Sequence, residues 1–133
     1  MTEDLRVVVS RDADIVTARQ LGRELAAKAG FVGSDLTLIA TAISEVARNI
    51  ISYAANGEIL LGLAQKDGRP GLRVIAQDHG PGIADIDQAM QDGFSTGKSL
   101  GLGLPGARRL MDEFEIVSAP GEGTTVTMRK WRR

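Results

Sequence analysis

The sequence predicts an α/β, two-layer sandwich: helices packed on one face of a mixed, mostly antiparallel sheet. Three observations predict it. Two long stretches carry apolar residues at helical spacing. Four β-branched runs pair off as two hairpins across turn-forming residues, with a fifth run ahead of them. The chain has 133 residues and is 43% hydrophobic, enough for one domain, residues 1–133, with a sizeable core.

Each element has its own signal. Leu5 to Val9 is a short β-branched run and reads as a strand. Over Asp12 to Ala29 the spacing of Ile15, Ala18, Leu21 and Leu25 predicts a helix, with Gly30 as its stop. Ser34 can cap a second helix reaching about Tyr53, with an apolar stripe of Leu36, Ile39, Ile43, Val46 and Ile50. Asn56-Gly57 ends it. Glu58 to Gln65 and Leu72 to Gln77 read as strands joined by a turn over Lys66 to Gly71. Residues 79 to 104 are rich in Gly, Asp and Ser, with room for a short helix near Ile86 to Met90. A loop that long in a small domain is a functional signal. Leu104 to Met111 reads as a helix. Phe114 to Ser118 and Thr125 to Lys130 read as a hairpin closing over Ala119 to Gly123.

Bulk properties exclude several chemistries. A net charge of -1 gives no global field toward nucleic acid or membrane. The basic run Arg129 to Arg133 reads as a solvated strand end. No cysteine means no disulfide, thiolate zinc site or thiol catalysis, and one histidine, His79, cannot build a multi-histidine metal site. No apolar run approaches the roughly 20 residues of a membrane span. The acidic Met1-Thr2-Glu3-Asp4 lacks the character of a signal peptide, so a cytoplasmic location is expected.

Glu45 and Asn49 stand one helical turn apart, about 40° from each other and more than about 90° from the centre of the apolar stripe. A lone pair of this kind is ordinarily a solvated helix face. Asn in mid-helix needs a reason, however. Its amide oxygen is a hard, neutral ligand for Mg²⁺ that also contacts phosphates. A carboxylate one turn away can take the proton of a hydroxyl attacking a γ-phosphate.

Three glycine clusters follow. Asp78-x-Gly80-x-Gly82 sits at a strand end. Read blandly it is an Asp-rich turn; read functionally, Asp78 accepts from a purine's amino group while Gly80 and Gly82 let the base approach the backbone. Gly101-x-Gly103 opens a helix, where free N–H groups and the helix dipole favour phosphate, and Lys98 can add a point charge. The segment imitates a dinucleotide fingerprint at Gly101 to Gly106 and a P-loop at Gly93 to Ser99. Neither has the strand that should precede it, and the second is one residue short between its glycines. Gly121-x-Gly123-Thr124 is a hairpin turn in the bland reading; in the functional one Thr124 reaches the base beside Asp78. His79 reads as an exposed loop residue beside that pocket.

Taken in order, these motifs resemble the four boxes of the GHKL superfamily, the Bergerat ATP-binding fold of gyrase, Hsp90, histidine kinases and MutL. Glu45-x-x-x-Asn49 is similar to the N box, and Asp78-x-Gly80-x-Gly82, Gly101-x-Gly103 and Gly121-x-Gly123-Thr124 to the G1, G2 and G3 boxes. Within it the chain resembles the RsbT-type switch serine kinases over nearly its whole length. The stretches that carry this are Asp14 to Gly22, Thr41 to Ile50, Asp92 to Thr96, and Gly103 to Phe114. Lys98-Ser99-Leu100 departs from the small residues expected in the lid. The resemblance implies ATP and Mg²⁺ as cofactors and phosphorylation of serine or threonine on STAS-domain partners of a stressosome. It also implies that the released kinase binds and activates a downstream phosphatase. Arg48, beside the Glu45–Asn49 pair, could orient the partner or stabilise the transferred charge. A histidine kinase core would need an acceptor histidine on a dimerisation domain, and a gyrase-type ATPase a transducer domain; the chain has room for neither. The class-level rival is a nucleotide-gated anti-sigma-type binding module.

Overall fold

A computed structural model describes residues 4–83, 90 and 103–133. Strand β1 (Leu5–Val9) leads into helix α1 (Asp12–Lys28), then helix α2 (Ser34–Ala54). A hairpin of β2 (Gly57–Lys66) and β3 (Arg69–Asp78) follows, then helix α3 (Gly103–Leu110) and the hairpin β4 (Glu113–Ser118) and β5 (Thr124–Trp131). The sheet order is β1-β2-β3-β5-β4. All four pairings are antiparallel, where a mixed sheet is the sequence expectation.

The alternation of side chains across the pleat explains the two layers. Register places Val7, Ile59, Ala76 and Val126 in one inward row and Leu61, Val74 and Met128 in the next. These side chains are buried under the helices. From the other layer, Ile39, Ile43, Val46 and Ile50 of α2 and Ile15, Ala18 and Leu25 of α1 complete the same core. The predicted stripe of α2 is thus its buried face, with Leu36 only half-buried at the start.

Element ends show where local chemistry rules. Asp14 accepts from the Ser10 and Arg11 N–H groups at 2.9 and 3.2 Å and so closes the first turn of α1. Those bonds, the Ser10 one foremost, hold its carboxyl below the usual aspartate range. Gly30 stops α1 as predicted: its φ is 100°, and its N–H donates to the Ala27 carbonyl. Ser34 does not cap α2. Gly33 occupies the cap position, and Ser34 is the first helical residue. The β2–β3 turn is tighter than expected: Asp67 and Gly68, with φ of 52° and 78°, make a two-residue loop, and Arg69 and Pro70 already lie in β3. The short helix expected near Ile86 to Met90 falls, apart from Met90, outside the described residues.

Candidate functional site

One end of the sheet carries a polar row. Gly57 of β2 pairs with Asp78 of β3, Asp78 with Thr124 of β5, and Thr124 with Ser118 of β4. All four lie on the pleat face that meets the helices. Asp78 and Thr124 are 7% and 5% exposed, two of the three buried polar residues among those described.

Burial demands partners, and the row supplies them. Asp78 Oδ1 accepts from the Gly80 N–H at 2.9 Å and from the Thr124 N–H at 3.2 Å. The carboxylate is therefore held by backbone from two segments, the loop after β3 and the start of β5. A carboxylate has about four acceptor positions, so capacity remains for a ligand donor. Ser118 Oγ accepts from the Ile83 N–H at 2.8 Å, donates to the Gly123 carbonyl at 2.9 Å and lies 2.8 Å from Thr124 Oγ1. The Gly121 N–H donates to the Pro81 carbonyl at 2.6 Å, fastening the β4–β5 loop to the loop after β3. The sequence reading missed Ser118. Its signal was register: a hydroxyl at the end of β4, opposite Thr124.

The glycines divide into two kinds. A Cβ on Gly123, whose φ is 78°, would overlap the Asp78 carbonyl oxygen. Gly80 abuts Ala54 of α2, and Gly82 abuts the Ala119 carbonyl. These three give close packing of protein on protein on the side where a Cβ would stand. Gly103 differs: its φ is 67°, and among the described residues the one atom near its Cβ position is Pro105 Cδ at 3.8 Å. Lys98 and Gly101 lie outside the described residues.

Helix α2 links the two ends of the site. Glu45 and Asn49 are half-buried on it, outside its apolar stripe, as is Arg48. Glu45 Oε2 accepts from the Gly103 N–H at 3.1 Å, so the N-terminus of α3 meets the carboxylate of α2. Nine residues further along, Ala54 touches Gly80 of the Asp78 loop. Those nine residues span about 13 Å of helix. Asn49 lies between them. The structure thus brings Glu45 to Gly103, and Asp78 to Gly80 and Thr124, on a common helix. His79 is exposed, as expected. Among the described residues no three His, Cys, Asp or Glu side chains group to hold a metal. A hard cation here would be held by the Asn49 amide together with a ligand's own oxygens.

The far end of α3 is also held. Lys130, read from sequence as part of a solvated basic end, is 8% exposed and donates to the Leu110 carbonyl at 2.9 Å. It thereby caps the helix C-terminus with a cation. Trp131 is buried too; only Arg132 and Arg133 of the run are exposed.

Residues 8–130 match the histidine kinase-like ATPase domain family. The chain is 50% identical over all 133 residues to serine/threonine-protein kinase RsbT of Bacillus subtilis, covering the whole of both chains. It is 36% identical over 103 residues to the anti-sigma F factor of Caldanaerobacter subterraneus, covering 73% of this chain and 71% of the relative. Among solved structures, a mycobacterial sensor histidine kinase, MprB, superposes with a TM-score of 0.59 at 16% identity, covering 98% of each chain. The catalytic domain of histidine kinase ThkA superposes at 0.52 with 18% identity, covering 98% of this chain and 96% of that one. The last two speak for the fold alone. The chain belongs to the histidine kinase-like ATPase domain family, among its RsbT-type serine/threonine-protein kinases.

Proposed function

We propose that this kinase transfers the γ-phosphate of ATP to a serine or threonine of a STAS-domain stressosome partner, with Glu45 as the proton acceptor. Released from that partner, it binds and activates a downstream phosphatase, in the cytoplasm. The observation that carries the reading is the hydrogen bond from Gly103 N–H to Glu45. It sets a carboxylate at the opening of a helix whose dipole favours phosphate. A base pocket around Asp78 lies about 13 Å away along the same α2.

The residues fit ATP and a divalent cation. Asp78 has acceptor capacity for the amino group of adenine, and Thr124 stands beside it. The start of α3 at Gly103 suits a phosphate by its dipole, with Gly101 and Lys98 preceding it in sequence. Asn49 would hold Mg²⁺, which supplies charge neutralisation across the phosphate oxygens. In the transfer, the partner's hydroxyl oxygen bonds to the γ-phosphorus, the bond from that phosphorus to the ADP oxygen breaks, and the hydroxyl proton passes to Glu45. Arg48 would orient the partner.

The similarity to an anti-sigma F factor favours a second reading, a nucleotide-gated binding module with little turnover. One experiment separates them: incubation with γ-labelled ATP and candidate STAS proteins. Label on a partner serine or threonine is the expected result, and Glu45→Gln should bind Mg-ATP yet leave the partner unlabelled. Transfer by Glu45→Gln at the wild-type rate removes Glu45 from the role of base. Hydrolysis without label indicates an ATPase, and binding without turnover the module.

A further inference from the structure

The hydroxyl of Ser118 has one hydrogen and two lone pairs. Three groups lie within bonding distance of it. The Ile83 N–H, at 2.8 Å, can only donate. The Gly123 carbonyl, at 2.9 Å, can only accept. The Thr124 hydroxyl, at 2.8 Å, can do either. A single arrangement satisfies all three: Ser118 gives its hydrogen to Gly123, and Thr124 gives its own hydrogen to Ser118. The reverse would set the Gly123 carbonyl against an oxygen with no hydrogen between them, in a part of the fold where unpaired polar groups are costly. Thr124 Oγ1 is thereby left with lone pairs alone. Asp78 beside it is also acceptor-only, its Oδ1 already taking two backbone N–H groups.

We propose that Ser118 is a specificity-determining residue for the nucleotide base. By taking the Thr124 hydrogen, it turns the Asp78–Thr124 edge into a pure acceptor surface. Such a surface takes the two hydrogens of adenine's 6-amino group; a 6-oxo purine set in the same place turns its oxygen on those acceptors, and its one nearby hydrogen, on N1, lies a ring position away. Ser118 does not touch the base. It acts through Thr124, and the inference rests on the reading of the Asp78 pocket as the site for ATP.

The test compares dissociation constants for ATP and ITP by titration calorimetry. The two nucleotides share ribose and triphosphate and differ at the 6-position and at N1, which carries a hydrogen in ITP and none in ATP. The proteins are the wild-type chain, Ser118→Ala, Thr124→Val and the double variant, with thermal melts to confirm folding. The wild type should prefer ATP by roughly 100-fold or more, the scale of a mispaired buried polar group. In Ser118→Ala the freed Thr124 hydroxyl can turn and donate to the 6-oxygen, so the preference should shrink about tenfold. A purely structural loss, such as a loosened Ile83 loop, would weaken both nucleotides alike and leave their ratio unchanged. On the Thr124→Val background, Ser118→Ala should not alter the ratio. If Ser118→Ala fails to fold, Ser118→Cys, a poor donor and acceptor of similar size, carries the same comparison. A ratio within about twofold of wild type, or an equal change on the Thr124→Val background, overturns the role of Ser118 alone. A wild-type chain that binds neither nucleotide overturns this inference and the ATP reading together.

Discussion

Asp78→Asn should abolish most nucleotide affinity while leaving the fold intact. The reason lies in how the side chain is held. Its Oδ1 accepts two backbone N–H groups, from Gly80 and Thr124, so an Asn would keep its carbonyl oxygen there. That orientation turns the amide NH₂ toward the position where the carboxylate meets a ligand donor. A charge-assisted hydrogen bond, worth about 1.5–3 kcal/mol, is replaced by two donors facing each other. The expected loss is about 2–3 kcal/mol, roughly 30- to 150-fold in Kd. Asp78→Ala should behave differently. It also orphans two N–H groups in a buried row, costing about 2–4 kcal/mol of stability in all. Calorimetric titration with Mg-ATP and a urea denaturation curve measure the two quantities separately. An Asp78→Asn protein that binds ATP within threefold of wild type would refute the assignment. Equal urea midpoints for Asp78→Ala and wild type would refute the account of what the carboxylate holds.

Three further outcomes follow from other parts of the structure. Gly123→Ala should destabilise the fold by about 2–3 kcal/mol, since its φ is 78° and its Cβ meets the Asp78 carbonyl oxygen; an unchanged urea midpoint would contradict this. Lys130→Met should cost about 1–3 kcal/mol by leaving the Leu110 carbonyl without its buried partner; the same denaturation experiment checks it. Glu113 accepts from Lys66 and Trp131, and these bonds, the Lys66 one first, hold its carboxyl below the usual glutamate range. Its folded pKa lies below its unfolded one, so its contribution is present above about pH 4.3 and fades as the pH falls through the folded value. The stability difference between wild type and Glu113→Gln should therefore narrow in acid; a difference that widens below pH 4 would sink the assignment.

Much of this was legible in the sequence because it is local. The stripe of α2, the Gly30 stop and the closing hairpin of β4 and β5 need only a short window, and the structure follows them. The relation between Asp78 and Thr124 was also inferred, through motif order. Ser118 and Lys130 were not. Each looked like an ordinary strand-end polar residue, because what gives it a role is register with a distant segment. Ser118 matters through Thr124 and the Ile83 N–H, and Lys130 through the last turn of α3. Lys130 had left a trace: it alternates with Met128 and Val126 on the inward side of β5. The packing role of the glycines was not legible either. Local sequence could not reveal that Ala54 and the Ala119 carbonyl stand where a side chain at Gly80 or Gly82 would go.

The position of β5 has a consequence for how the protein assembles. It follows every other strand in sequence, yet it lies inside the sheet, between β3 and β4. The Asp78–Thr124 contact closes a loop of 46 residues, and it cannot form before β5 has docked. Early structure around α1, α2 and the β2–β3 hairpin would therefore have a core without the completed polar row. A nucleotide that binds the finished row and not its precursors draws the equilibrium toward the completed sheet, in proportion to its concentration over its dissociation constant. If ATP binds at this row, as proposed, it is also a folding ligand, and its occupancy certifies that the last strand is in place.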